Sequence, residues 1–118
     1  MKEEFIPSTN HEWCMYFWIP QDIHMKRGKM AGQVAHAAAR LAKNTDNELW
    51  KEYLKNEVKI VYKVRTTSDL FDVRLELQEA FGGMLNETMV FDNTWQKHTV
   101  YGVMTYHNLK KDKKWRLA

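Results

Sequence analysis

The stretch Asp22-Ile23-His24-Met25-Lys26-Arg27-Gly28-Lys29-Met30-Ala31-Gly32-Gln33-Val34-Ala35-His36-Ala37 decides how this chain is read. It passes from a polar, basic connection into alanine-rich sequence that favours helix strongly, so a helix is predicted from Gly28 to about Lys43. At about 100° per residue, with Lys29 at zero, Gln33 falls at about 40°, His36 at about 340° and Arg40 at about 20°. These four make one polar stripe. Met30, Val34, Ala38 and Leu41 fall between about 100° and 180° and make the apolar one. Such a helix can lie close against a sheet while holding out a row of functional groups. Glycine at its start leaves backbone N–H groups open, where the helix dipole favours an anion. Lys26, Arg27 and Lys29 add formal positive charge at the same spot. A phosphate or a developing oxyanion suits that chemistry; an ordinary solvated helix start is the competing reading of the same residues.

Working outward, Met15-Tyr16-Phe17-Trp18-Ile19, stopped by Pro20, predicts a buried strand before the helix. Beyond it, Asp46 is a candidate N-cap for a short helix on which Leu49, Trp50, Tyr53 and Leu54 share a face. Val58 to Val64 has the β-branched enrichment of a strand. Thr67 or Ser68 caps a third helix with Leu70, Val73, Leu77 and Phe81 as its stripe and Gly82 as its stop. Phe71 and Leu75 lie off that stripe and read as packing on a neighbouring element before a partner surface. Thr88–Phe91 and Thr99–Tyr106 are two further apolar segments, joined by a hairpin loop over Asn93–Lys97. The order β-α-α-β-α-β-β predicts an α/β fold, a three-layer sandwich with a mixed four-stranded sheet and helices on both faces. Residues 1–14 read as a polar leader, 15–106 as the domain and 107–118 as a basic tail, whose Trp115 is a candidate stacking platform.

The chain's 118 residues suffice for one domain, and 44% hydrophobic residues allow a packed core. A net charge of +3 permits a polyanionic partner without demanding one. The single cysteine, Cys14, forms no intramolecular disulfide, and no apolar run approaches the roughly 18 residues of a membrane span. An intracellular, cytoplasmic protein with no membrane partner is expected. No Gly-x-Ser-x-Gly elbow, Walker motif or dinucleotide fingerprint occurs. The five histidines show no metal-ligand spacing, so neither metal nor cofactor is expected.

Asp22, Met25, Gly28, Lys29, Ala31, Gln33, His36 and Ala37 match without a gap the pattern Asp-Leu-x-Met-x-x-Gly-Lys-x-Ala-x-Gln-x-x-His-Ala. In this the chain resembles the type 2 peptidyl-tRNA hydrolases. Lys59–Val64 resembles that family's second strand and Thr99–Val103 its last, while Asp92 falls where the family has the aspartate of an Asp-Ala-Gly-x-Thr loop. The resemblance covers about Met15 to Thr105. It departs at Pro20, where the family usually has arginine, and in the shorter Asn93-Thr94-Trp95-Gln96 after Asp92. What it implies is hydrolysis of the ester between a peptide, or an N-blocked amino acid, and tRNA. Lys29 would then stabilise the oxyanion or a nearby phosphate, and Asp92 would orient the water with help from the Thr99 hydroxyl. Lys26, Arg27, Gln33, His36, Arg40 and Lys63 are the candidate substrate and tRNA contacts. His36, flanked by alanines, also reads as a buried structural residue, and Arg40 and Lys63 as solvated charges. The shortened loop leaves open an RNA-binding or adaptor protein of the same fold with impaired catalysis, and a small-ester hydrolase is a third reading. A homodimer is implied by the family, with Trp13, Phe17, Phe71 and Leu75 as apolar surface for it.

Overall fold

Alternation along the first strand, β1 (Cys14–Pro20), builds two cores at once. Cys14, Tyr16 and Trp18 point into one, Met15, Phe17 and Ile19 into the other, and all six are buried. A strand buried on both faces has to be central. The computed structural model describes residues 12–82, 85–111 and 114–118. Among them β2 is Val58–Val64, β3 Asn86–Asp92, β4 Lys97–Thr105 and β5 Arg116–Leu117, in the sheet order β3-β4-β1-β2-β5. Among the described residues only the β1–β2 pair is parallel. The expected mixed α/β sandwich is therefore present, with five strands among the described residues rather than four.

The helices α1 (Arg27–Lys43) and α2 (Asn47–Leu54) cover one face, where Ala37, Leu41 and Tyr53 meet Met15, Phe17, Val100 and Met104. Helix α3 (Thr67–Phe81) covers the other through Leu70, Val73 and Leu77. Caps fall where local chemistry puts them. Asp46 accepts from the Leu49 amide at 2.8 Å, and Gly82, at φ +84°, ends α3 in a conformation that suits glycine. The α3 cap is Thr66, one residue before the expected position, because Asp69 completes a capping box with it. No helix among the described residues is long and apolar enough to cross a membrane.

The fifth strand comes from the stretch read as a tail. Trp115 is no exposed stacking platform: it packs edge-on to Trp18 at 5.2 Å between ring centres and against Tyr62 at 5.6 Å. Leu117 and Arg116 then pair with Tyr62 and Lys63. Two residues are too few for alternation to register, and the surrounding lysines hide the tryptophan's role. Among the side chains proposed as dimer surface, Phe17 is fully buried and Trp13 is half-buried against Tyr106, whereas Phe71 and Leu75 are exposed.

Candidate active site

Three local features assemble the site. The first is the start of α1, whose N-cap residue Lys26 offers no side-chain hydrogen bond and whose first turn carries no acid. Lys26, Arg27 and Lys29 therefore sit against the unfavourable end of the helix dipole. The second is the end of β3, which delivers Asp92. Its Oδ1 accepts the Thr94 amide at 2.8 Å and the Trp95 amide at 3.1 Å, closing an Asx turn into the four-residue connection to β4. The third is a β-bulge. Val90 pairs with Val100 but Phe91 pairs with His98, leaving Thr99 as the extra residue. A bulge re-aims side chains beside it, and here Thr99 and Val100 both turn toward α1.

Lys29 and Asp92 meet directly: Nζ lies 2.8 Å from Oδ2, with 39% of the lysine side chain exposed and 7% of the aspartate's. The Lys29 hydrogen bond, reinforced by the Trp95 amide, holds the Asp92 carboxyl below the usual carboxylate range. Trp95 also lays its ring 5.3 Å from the Lys29 ammonium. Behind this pair, the Thr99 hydroxyl donates to Gln33 Oε1 at 2.6 Å, and both residues are buried. The arrangement offers an accessible cation, an ionised and oriented carboxylate, and a buried polar pair beneath them.

The predicted polar stripe of α1 is thus divided. Burial centres on Gln33, Ala37 and Leu41, so Gln33 is drawn under the helix while His36 and Arg40 stay exposed. The expectation of a buried structural His36 is corrected, since it lies about 100° round the helix from Ala37. Arg40 donates to the Met89 carbonyl at 3.4 Å and ties α1 to β3. Lys26 and Arg27 are exposed at the helix start, and Lys63 is half-buried two strands from β4. Asp22, part of the signature, accepts from the Thr67 amide and hydroxyl, both at 3.0 Å, and so fastens the loop before α1 to the start of α3. Sequence reasoning missed Trp95 as a site residue; the signal available was its place in a turn opened by an aspartate. Burial pushes the Cys14 thiol up to about 11, which removes it as a nucleophile. Among the described residues no three His, Cys, Asp or Glu side chains gather as metal ligands.

Comparison with known proteins adds an independent finding. The family model described as Peptidyl-tRNA hydrolase PTH2 matches residues 13–114. The peptidyl-tRNA hydrolase of Sulfurisphaera tokodaii is 41% identical over 64 residues, covering 48% of this chain and 53% of that protein. Those of Saccharolobus islandicus and Saccharolobus solfataricus are 39% and 38% identical over the same length and the same shares. The chain spans about half the length of the curated relatives it matches.

Proposed function

The chain belongs to the Peptidyl-tRNA hydrolase PTH2 family, and from that premise we propose that it hydrolyses the ester joining a peptide or N-blocked amino acid to tRNA, releasing free tRNA. The observation that carries this is the Lys29–Asp92 pair at the open start of α1. Water attacks the ester carbonyl, the oxygen takes up negative charge, and the C–O bond to the ribose breaks. The proton lost by the water balances the one gained by the departing ribose oxygen. Asp92, ionised at neutral pH and fixed by two backbone amides, orients that water; its lowered pKa makes it a poor proton acceptor. Lys29 stands where positive charge stabilises the oxyanion. Thr99 is buried and acts through Gln33, holding the amide beneath the pair. Lys26, Arg27 and His36 lie exposed on or beside α1, where they can meet the nucleic acid.

The short connection after Asp92 favours no separate adaptor reading, because with it in place Asp92 still meets Lys29. The test is release of labelled N-acetyl-aminoacyl groups from tRNA. Lys29→Ala and Asp92→Asn are each expected to lower kcat by about a hundredfold or more, with near-native circular dichroism. Absence of turnover by folded wild type, with tRNA still bound, would instead support the adaptor.

A further inference from the structure

We propose that the cleft between the β2–β5 edge and the start of α3 is a second nucleic-acid contact, which holds tRNA phosphodiesters through Lys63, Arg65 and Arg116. The inference rests on the hydrolase reading for its ligand, and on four observations for its place.

The cleft encloses about 280 Å³ and is lined by Lys63, Arg65, Lys114 and Arg116 together with Gln21 and Asp69. Lys63 and Arg116 are direct partners across an antiparallel pair, so their side chains leave the same face of the sheet. Like charges in that relation repel, and a fold gains nothing from the pairing by itself. Among the described residues neither has an ion pair with a carboxylate, nor has Arg65. The nearby acids are engaged elsewhere. Asp69 accepts from the Thr66 amide in the α3 capping box, and Glu76 is bonded by Lys114, whose ammonium also lies 5.2 Å from the Trp115 ring. Lys114 is therefore left out of the proposed contact. What remains is three cations lining one concavity against the single capped carboxylate of Asp69, a net positive charge that is the electrostatic footprint of a polyanion.

Position supplies the connection to the ester site. Strands β1 and β2 run parallel and end at Pro20 and Val64. Strand β3 is antiparallel to β4, which is antiparallel to β1, so Asp92 ends β3 at that same end of the sheet. Strand β5 runs against β2 and begins there with Arg116. The Lys29–Asp92 pair and the basic cleft thus share one end of the sheet, three to four strands apart, or about 14–19 Å. Arg27, at the start of α1, borders a groove whose far wall is Lys59, Val61 and Ala118, the residue after β5. A tRNA whose acylated end lies at Asp92 meets Arg27 and then the cleft along one rim of the molecule.

The test compares wild type with the triple variant Lys63→Gln, Arg65→Gln, Arg116→Gln, using deacylated tRNA anisotropy over a range of KCl concentrations. The double variant Lys51→Gln, Lys55→Gln on α2 is the charge control. The cleft predicts that the triple variant loses about 2 from the log–log salt slope and about tenfold or more in affinity at low salt, while the control keeps both. With N-acetyl-aminoacyl-tRNA, KM should rise while kcat at saturation stays within about twofold. Thermal midpoint should not fall, since like-charge repulsion has been removed. An unchanged slope would overturn the cleft even if the wild-type enzyme turns over. A lower midpoint would mark the cations as structural and overturn it too. Loss of poly-glutamate binding with tRNA binding intact would assign the cleft to an acidic protein, against this inference. A reduced slope with an inactive wild type would keep the cleft and remove the hydrolase reading.

Discussion

At Asp92 three donors converge, the Lys29 ammonium and the amides of Thr94 and Trp95. A carboxyl with a lowered folded pKa contributes stability that is present above its unfolded value and lost as pH falls through the folded one. Activity that depends on ionised Asp92 should accordingly be flat through neutral pH and fail only in acid. Lys29 is the largest cause of the shift, so Lys29→Met should move the Asp92 titration upward, followed by its carboxyl carbon NMR shift; an unmoved titration would refute the pair in solution. Gln33 and Thr99 invite a different experiment. Thr99→Val keeps the shape but leaves a buried amide without its donor, and should cost about 1–3 kcal/mol in urea denaturation. Adding Gln33→Leu should cost less than the sum of the two single changes, because the second removes the group the first orphaned. The lysine and the glutamine were readable as candidates from the signature, and the aspartate from its place at the end of a strand where the resembled family has one. Their division into an accessible ion pair and a buried hydrogen bond was not, since a helical wheel gives angles and no account of which arc meets the sheet.

Among the elements, the β-bulge and the loop before α1 do most to shape the site. The bulge inserts Thr99 between residues that would otherwise alternate, and no period-2 pattern in Thr99–Tyr106 announces it. Asp22 illustrates the opposite error. It belongs to a functional signature, yet its carboxylate joins two elements by bonding Thr67 across 45 residues of chain. Asp22→Ala is expected to lower stability by about 1 kcal/mol, as the loss of a cap does, with kcat changed less than about threefold. A hundredfold loss of kcat in a folded variant would return Asp22 to the catalytic machinery. Helix α3 was legible almost completely, its stripe of Leu70, Val73 and Leu77 being buried as expected, because a long amphipathic pattern averages over local exceptions.

For the molecule as a whole, the last strand binds the chain's end into the central core. Trp115 meets Trp18 and Tyr62, so Trp115→Ala should lower the free energy of unfolding by about 3 kcal/mol, read by chemical denaturation. A change under about 0.5 kcal/mol would mean that the β2–β5 edge is not formed in solution. Sequence by itself determined the layer order, the buried aromatic strand, the position of the helix start and the chemistry gathered there. Each of these rests on local propensity or on a motif contiguous in the chain, and neither needs the fold to be read. Tertiary structure alone decided that Asp92 meets Lys29 across 62 intervening residues, that Thr99 serves Gln33, and that Lys63 faces Arg116. Those pairings depend on sheet order, a bulge and a two-residue strand, and such long-range register leaves no periodic trace in one sequence.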